Sequence, residues 1–142
     1  MTQTDILESL LVSNHRLTRI AAQGTGNATP AAVWRTLSIL HNDGAMRIGA
    51  LAASSRISQP GMTKLLPALV EEELVHRIAD ADDSRAWLIA ISDKGKAALE
   101  EWRGSLAASL LPVFDDLTPE QWATLEAAAE ILQSRLASAH DA

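Results

Sequence analysis

The stretch Leu51-Ala52-Ala53-Ser54-Ser55-Arg56-Ile57-Ser58-Gln59-Pro60-Gly61-Met62-Thr63-Lys64-Leu65 decides the fold. Gly49–Ser55 reads as a short helix with Leu51 and Ala52 turned inward. Ser55-Arg56-Ile57 reads as a turn. Ser58 is the cap of a second helix, because its hydroxyl suits the free amides of a first turn, and Pro60 is tolerated there. Met62, Leu65, Leu66, Leu69 and Val70 then recur at helical spacing. Pro67 lies inside that pattern, which predicts a kink or a missing hydrogen bond.

Outward toward the N-terminus, Ala45–Ile48 suits a brief strand, and Asn42-Asp43-Gly44 ends a preceding helix. That helix starts at Thr29-Pro30, with Thr29 as cap and Pro30 as first helical residue, and shows Val33, Leu37 and Leu40 on its apolar face. The breaker cluster Gln23-Gly24-Thr25-Gly26-Asn27 separates it from a first helix over residues 5–22, whose Ile6, Leu7, Leu10, Leu11, Leu17 and Ile20 share one side.

Outward toward the C-terminus the period changes. Leu74–Ile78 and Trp87–Ile91 are β-rich, and the polar run 79–86 between them predicts a hairpin with a long tip, since it has no Asn-Gly pair to make a tight one. Ser92 caps a helix from Asp93 to about Leu111, which Pro112 should disrupt. Thr118-Pro119-Glu120-Gln121 has capping-box spacing and opens a last helix bearing Trp122, Leu125, Ala129, Leu132 and Leu136.

The whole is mainly α with a small β-hairpin. Its 142 residues are 47% hydrophobic and 21% charged, which suits one globular chain. The lack of cysteine excludes a disulfide framework, a thiolate metal site and a thiol redox switch within these residues. No apolar run nears the roughly 20 residues of a membrane span, and MTQTDILESL has no signal-peptide pattern, so a cytoplasmic location with no membrane partner is expected. The net charge of −6 is uneven. Residues 1–46 and 47–96 each balance, whereas residues 97–142 hold two basic side chains against eight acidic ones. A DNA-facing surface in the middle is therefore compatible with the acidic total.

Two short helices across a tight turn, followed by a hairpin, make the winged form of the helix-turn-helix. Residues 51–65 closely resemble the helix-turn-helix of the MarR family. Asp80-Ala81-Asp82-Asp83-Ser84-Arg85-Ala86 resembles that family's wing tip, and Ser92-Asp93-Lys94-Gly95 the opening of its next helix. The resemblance implies a homodimer joined through residues 5–22 and 93–138, with a DNA-binding lobe over 29–92. It implies a double-stranded, palindromic operator as partner, and a small apolar or phenolic effector. The helix from Ser58 would enter the major groove and the wing the adjacent minor groove. Four departures from the family have physical consequences. Arg56 and Glu73 stand where glycine is common, Ser84 replaces the first of two wing arginines, and Pro67 sits in the recognition helix.

In that frame Ser58, Gln59, Thr63 and Lys64 face base edges, Gln suiting adenine and Lys guanine. Arg85 is the minor-groove residue, and Asp83 is expected to hold it by a bidentate pair. Arg56 and Arg77 are expected phosphate contacts. Trp34, Trp87, Trp102 and Trp122 are expected in the core or at an interface, with Trp34, Trp102 and His15 placed near an effector crevice. The other histidines, at 41, 76 and 140, are scattered, and no histidine pair has metal-site spacing. With no phosphate loop, nucleophile elbow or His-Glu-x-x-His, neither catalysis nor a cofactor is indicated. The competing reading is a winged-helix protein-interaction module that has lost DNA binding, favoured by the acidic charge, Ser84 and Pro67.

Overall fold

The computed structural model describes residues 1–26 and 29–140, so Asn27 of the breaker cluster and the side chain of His140 lie outside it. The elements are α1 (Gln3–Thr25), α2 (Ala31–Asp43), β1 (Met46–Arg47), α3 (Ile48–Ser55), α4 (Gln59–Glu71), β2 (Val75–Asp80), β3 (Asp83–Ile91), α5 (Asp93–Phe114) and α6 (Pro119–His140). The strands form an antiparallel sheet in the order β1-β3-β2. Among the described residues no helix is long and apolar enough to cross a membrane.

The core lies under the quoted stretch. Leu37 and Leu40 of α2, Leu51 of α3, Met62, Leu66 and Leu69 of α4, Val75 and Ile89 of the hairpin and Leu99 of α5 are all buried in one cluster. Each such side chain contributes roughly 1.5–3 kcal/mol by leaving water. Helices α3 and α4 are short, so this shared core holds them more than their own hydrogen bonds do.

Both helices of the motif end in the same way. The Ile57 N–H donates to the Ala52 carbonyl at 3.0 Å, and Arg56 N–H to Ala53 O at 3.2 Å. At the end of α4, Leu74 N–H donates to Leu69 O at 2.9 Å and Glu73 N–H to Val70 O at 3.0 Å. These are two Schellman motifs, which need a left-handed residue. Arg56 at φ 56° and Glu73 at φ 62° occupy it, although neither is glycine. The left-handed conformation costs a side-chain-bearing residue about 1–2 kcal/mol at each place.

The junction after Glu73 joins three elements. The Ser92 N–H donates to Leu74 O at 3.0 Å, the Ser92 hydroxyl donates to Glu73 O, and Gly95 N–H donates to Ser92 Oγ at 2.9 Å. A Cβ on Gly95 would overlap the Leu74 carbonyl. Glycine is therefore required for α5 to start against the base of the hairpin.

Several expectations are corrected. Helix α1 runs through Gly24 to Thr25 and stops at left-handed Gly26. Gly24 lies against Ser109 of α5, whose hydroxyl donates to Ala21 O, so α5 supports the extra turn. Pro30 rather than Thr29 is the N-cap of α2, which starts at Ala31. Pro112 lies inside α5, which continues to Phe114. At Pro67 no correction is needed, because α4 runs on across it as a helix that tolerates a missing hydrogen bond, one of the two outcomes expected there. Proline removes one hydrogen bond and does not by itself end a helix that is supported otherwise. The hairpin loop is short: Asp80 pairs with Asp83, leaving only Ala81 and Asp82 between the strands. Trp87 is 57% exposed, which excludes the core from the two places expected for it, core or interface.

The Schellman motifs and the Gly95 contact give opposite expectations for small changes. Glu73→Gly should raise stability by about 1 kcal/mol by relieving the left-handed strain, net of glycine's greater freedom when unfolded. Gly95→Ala should lower it by about 1–3 kcal/mol, the usual cost of an overpacked site. Urea unfolding at one fixed protein concentration measures both.

Candidate nucleic-acid interface

Helix α4 has one buried side and one exposed side. Met62, Leu66 and Leu69 face the core, while Gln59, Thr63 and Lys64 face solvent. Ser58 is the N-cap, its Oγ accepting from Gly61 N–H at 3.1 Å. Thr63 donates its hydroxyl to Gln59 O at 2.9 Å, which leaves its methyl group and remaining lone pairs outward. Arg56 is exposed at the turn that leads into α4. The first two turns of α4 thus present polar groups and one ammonium, with no acidic side chain.

The wing owes its shape to an irregular register. Ala79 pairs with Trp87, but the next residue, Asp80, pairs with Asp83. Ser84, Arg85 and Ala86 are therefore extra on β3. Neither Ala81 nor Asp82 has positive φ, so the tip is not a primed hairpin turn. Instead Asp82 N–H donates to Asp80 Oδ1 at 3.0 Å and Arg85 N–H to Asp83 Oδ1 at 3.0 Å. These Asx turns close the tip without Asn-Gly. The extra residues throw the Arg85 side chain outward, 92% exposed.

The expected bidentate Asp83–Arg85 pair does not form. Asp83 Oδ1 is already engaged by the Arg85 backbone N–H, and Arg85 Nε lies 3.7 Å from it. The close ion pair of the wing is made by Arg47, which was not singled out from sequence. Its Nε and Nη2 donate to Asp80 Oδ2 at 3.0 and 2.9 Å, and its Nη2 lies 3.9 Å from Asp83 Oδ2. No linear spacing signals this, because Arg47 reaches Asp80 across the intervening strand β3. The Asp82 N–H and the Arg47 guanidinium hold the Asp80 carboxyl below the usual carboxylate range, against a smaller desolvation effect.

Arg77 lies on β2 opposite Ile89 and is exposed. Together with Arg47, Arg85 and Trp87 it lines an open concavity of about 350 Å³ between α4 and the wing, with Leu66 and Ile89 among its lining residues. Trp87 alternates with Ile89 and Ile91, a pattern that predicts core, but the core ends before it. The structure therefore brings Arg77, Arg85, Arg47 and Trp87 together.

The residues linked to an effector are placed differently. Trp34 and Trp102 stack with centroids 4.8 Å apart and planes 9° from parallel, α2 against α5. That separation admits no third ring between them, so a ligand would sit beside the stack or part it. Trp34 Nε1 is buried without a hydrogen-bond partner. The His15 side chain is exposed on α1. Among the described residues no cluster of three or more His, Asp or Glu has the arrangement to hold a metal ion.

Residues 30–87 match the family model described as MarR family. An HTH-type transcriptional regulator of Mycobacterium bovis is 33% identical over 81 residues, covering 52% of this chain and 57% of that protein. One from Mycobacterium leprae is 34% identical over 73 residues, covering 46% and 51%. The chain thus spans little more than half the length of the curated relatives it matches. Among solved structures, a transcriptional regulator from Thermotoga maritima superposes with a TM-score of 0.76 at 16% identity, covering 99% of each chain. Wild-type MarR from E. coli in its apo form superposes at 0.68 with 18% identity, covering 93% of this chain and 96% of that one. These two likenesses establish the winged-helix fold.

The lowered Asp80 carboxyl has a defined pH consequence. Its stabilising effect is present above the unfolded aspartate value, near 3.9, and is lost as pH falls through the lower folded value. An NMR titration of the Asp80 side-chain carboxyl should show a midpoint below that unfolded value. A midpoint at or above it would mean that the Arg47 and Asp82 contacts do not persist in solution.

Proposed function

We propose that this chain, whose residues 30–87 match the family model described as MarR family, is a dimeric, sequence-specific, double-stranded-DNA-binding transcriptional regulator. The observation that carries this reading is the pairing of two exposed elements on one lobe. The α4 face of Ser58, Gln59, Thr63 and Lys64 suits base edges in a major groove. Arg85, thrown outward by the wing's extra residues, suits a minor groove, where negative potential favours a guanidinium. Arg56 and Arg77 serve as phosphate contacts, and Asp83 shapes the tip through the Arg85 amide. The curated relatives' names as HTH-type transcriptional regulators support the same reading.

The terminal helices supply the reason for a dimer. Leu7, Leu11 and Val12 of α1, Leu111 and Val113 of α5, and Ile131 and Leu136 of α6 are all exposed. Along α6, only Ala128 is even partly covered up to Ala139. A long apolar helix face open to water is unfavourable in a monomer, and a second copy of the same helices would cover it. Each lobe then reads one half of a palindromic operator, with half-site centres about 34–36 Å apart. A small apolar or phenolic effector, bound beside the Trp34–Trp102 stack with His15 on the facing helix, would act by favouring one separation of the two lobes. No catalytic role is assigned to any residue.

The test is binding of the full chain to DNA from upstream of its own coding sequence, against scrambled DNA, at two salt concentrations. Specific binding that weakens steeply with salt is expected, because phosphate contacts release counterions. Absence of binding to either DNA at low salt would favour the interaction-module reading, in keeping with the acidic residues 97–142 and Ser84.

Two variants assign the contacts. Arg85→Ala should weaken cognate binding several-fold while the dimer mass is unchanged. Lys64→Ala should relax discrimination by about 1–3 kcal/mol at one base pair if its contact is to a base edge. A loss that is uniform over operator variants would make Lys64 a phosphate contact instead.

A further inference from the structure

Arg47 belongs to no DNA-contact set derived above, yet it occupies a singular place. It is the last residue of β1 and the N-cap residue of α3, the first helix of the motif. Its side chain plays no part in that cap. Instead it crosses to the far end of the hairpin. There Asp80 and Asp83 form the last register pair of β2 and β3. Like charges directly opposite each other in an antiparallel pair are destabilising. The Arg47 guanidinium touches both, two N–H groups on Asp80 Oδ2 and one nitrogen 3.9 Å from Asp83 Oδ2.

The other oxygen of each carboxylate is occupied as well. Asp80 Oδ1 accepts from the Asp82 amide, and Asp83 Oδ1 from the Arg85 amide. The Arg47 side chain is half exposed at 51%, but that of Asp80 is only 12% exposed. An isolated surface pair is worth little. Here one cation cancels the repulsion between two carboxylates that must approach for the tip to close, and networks of this kind are the exception to that rule.

We infer that Arg47 is a positioning residue that holds the wing tip closed, fixing Arg85 relative to α4. The closed tip is the feature that residues 79–86 alone do not predict: read by themselves they are a long open loop. Without Arg47 they should revert to one. The consequence for DNA rests on the regulator reading above, whereas closure of the tip does not.

The experiment uses the full chain and has a DNA-free arm. Backbone amide relaxation should give order parameters near ~0.85 for Asp82 and Arg85 in the wild type, falling below ~0.6 in Arg47→Ala. Adding Asp83→Asn to Arg47→Ala should restore order, because it removes the like-charge pair. Amides that stay ordered in Arg47→Ala overturn the proposal, and failure of Asp83→Asn to restore order overturns its electrostatic basis. In the DNA arm, Arg85→Ala should cost its full factor in the wild type and little in the Arg47→Ala background. Lys64→Ala should cost the same in both within about twofold, as expected of independent sites. Equal Arg85→Ala losses in both backgrounds overturn the positioning role. A wild type that binds no DNA defeats the regulator reading, and the amide signals then decide closure by themselves.

Discussion

The lobe is organised by the carbonyl of Leu74. That oxygen accepts from Ser92 N–H at the base of the hairpin, and the backbone bearing it lies where a Cβ on Gly95 would be. Its own amide closes the Schellman end of α4. Three directions are set within a few residues: the end of the proposed recognition helix, the departure of the wing and the start of α5. Left-handed Glu73 makes the reversal that permits this, and the strain is stored at a point with many supporting hydrogen bonds. Had α4 ended differently, neither the wing nor the long C-terminal helices would stand where they do.

Much of this was legible in the residues themselves. Ser58, Ser92 and Thr118 are caps by chemistry and act as caps in the structure. The helical spacing of Met62, Leu66 and Leu69 marked the buried side of α4, and with it the exposed side that carries Gln59, Thr63 and Lys64. Arg56 stands where the resembled family commonly has glycine, and in the structure it is left-handed. What could not be read depended on contacts distant in sequence. Pro112 looked like a helix end, since a local rule does not register the Ser109 contact to Ala21 before it or the Phe114–Trp122 ring contact after it. The wing looked like a long loop because its tip is held by Asx turns together with Arg47, which lies 33 positions before Asp80 in the chain. Trp87 was open between the core and an interface, and only its 57% exposure in the fold removes the first.

Charge is distributed in a way that suits the proposed role. The acidic excess sits in residues 97–142, and the first turn of α4 carries no acidic side chain. Within the wing, Asp80 and Asp83 are drawn inward onto Arg47 and backbone amides, leaving Arg85 outermost. A chain of net charge −6 can then still offer DNA a locally favourable surface, because exposed charges beyond about 8–10 Å are largely screened at physiological salt. The stacked Trp34–Trp102 pair and the Arg103–Ser38 hydrogen bond tie α2 to α5. They connect the lobe to the helices whose apolar faces are exposed.

The most direct measurement is selection of duplexes from a random-sequence pool by the full chain, followed by sequencing of what it retains. The account predicts enrichment of an inverted repeat whose half-site centres are about 10 base pairs apart, one per subunit of a dimer. Enrichment of nothing, or of a single unpaired half-site, would contradict it.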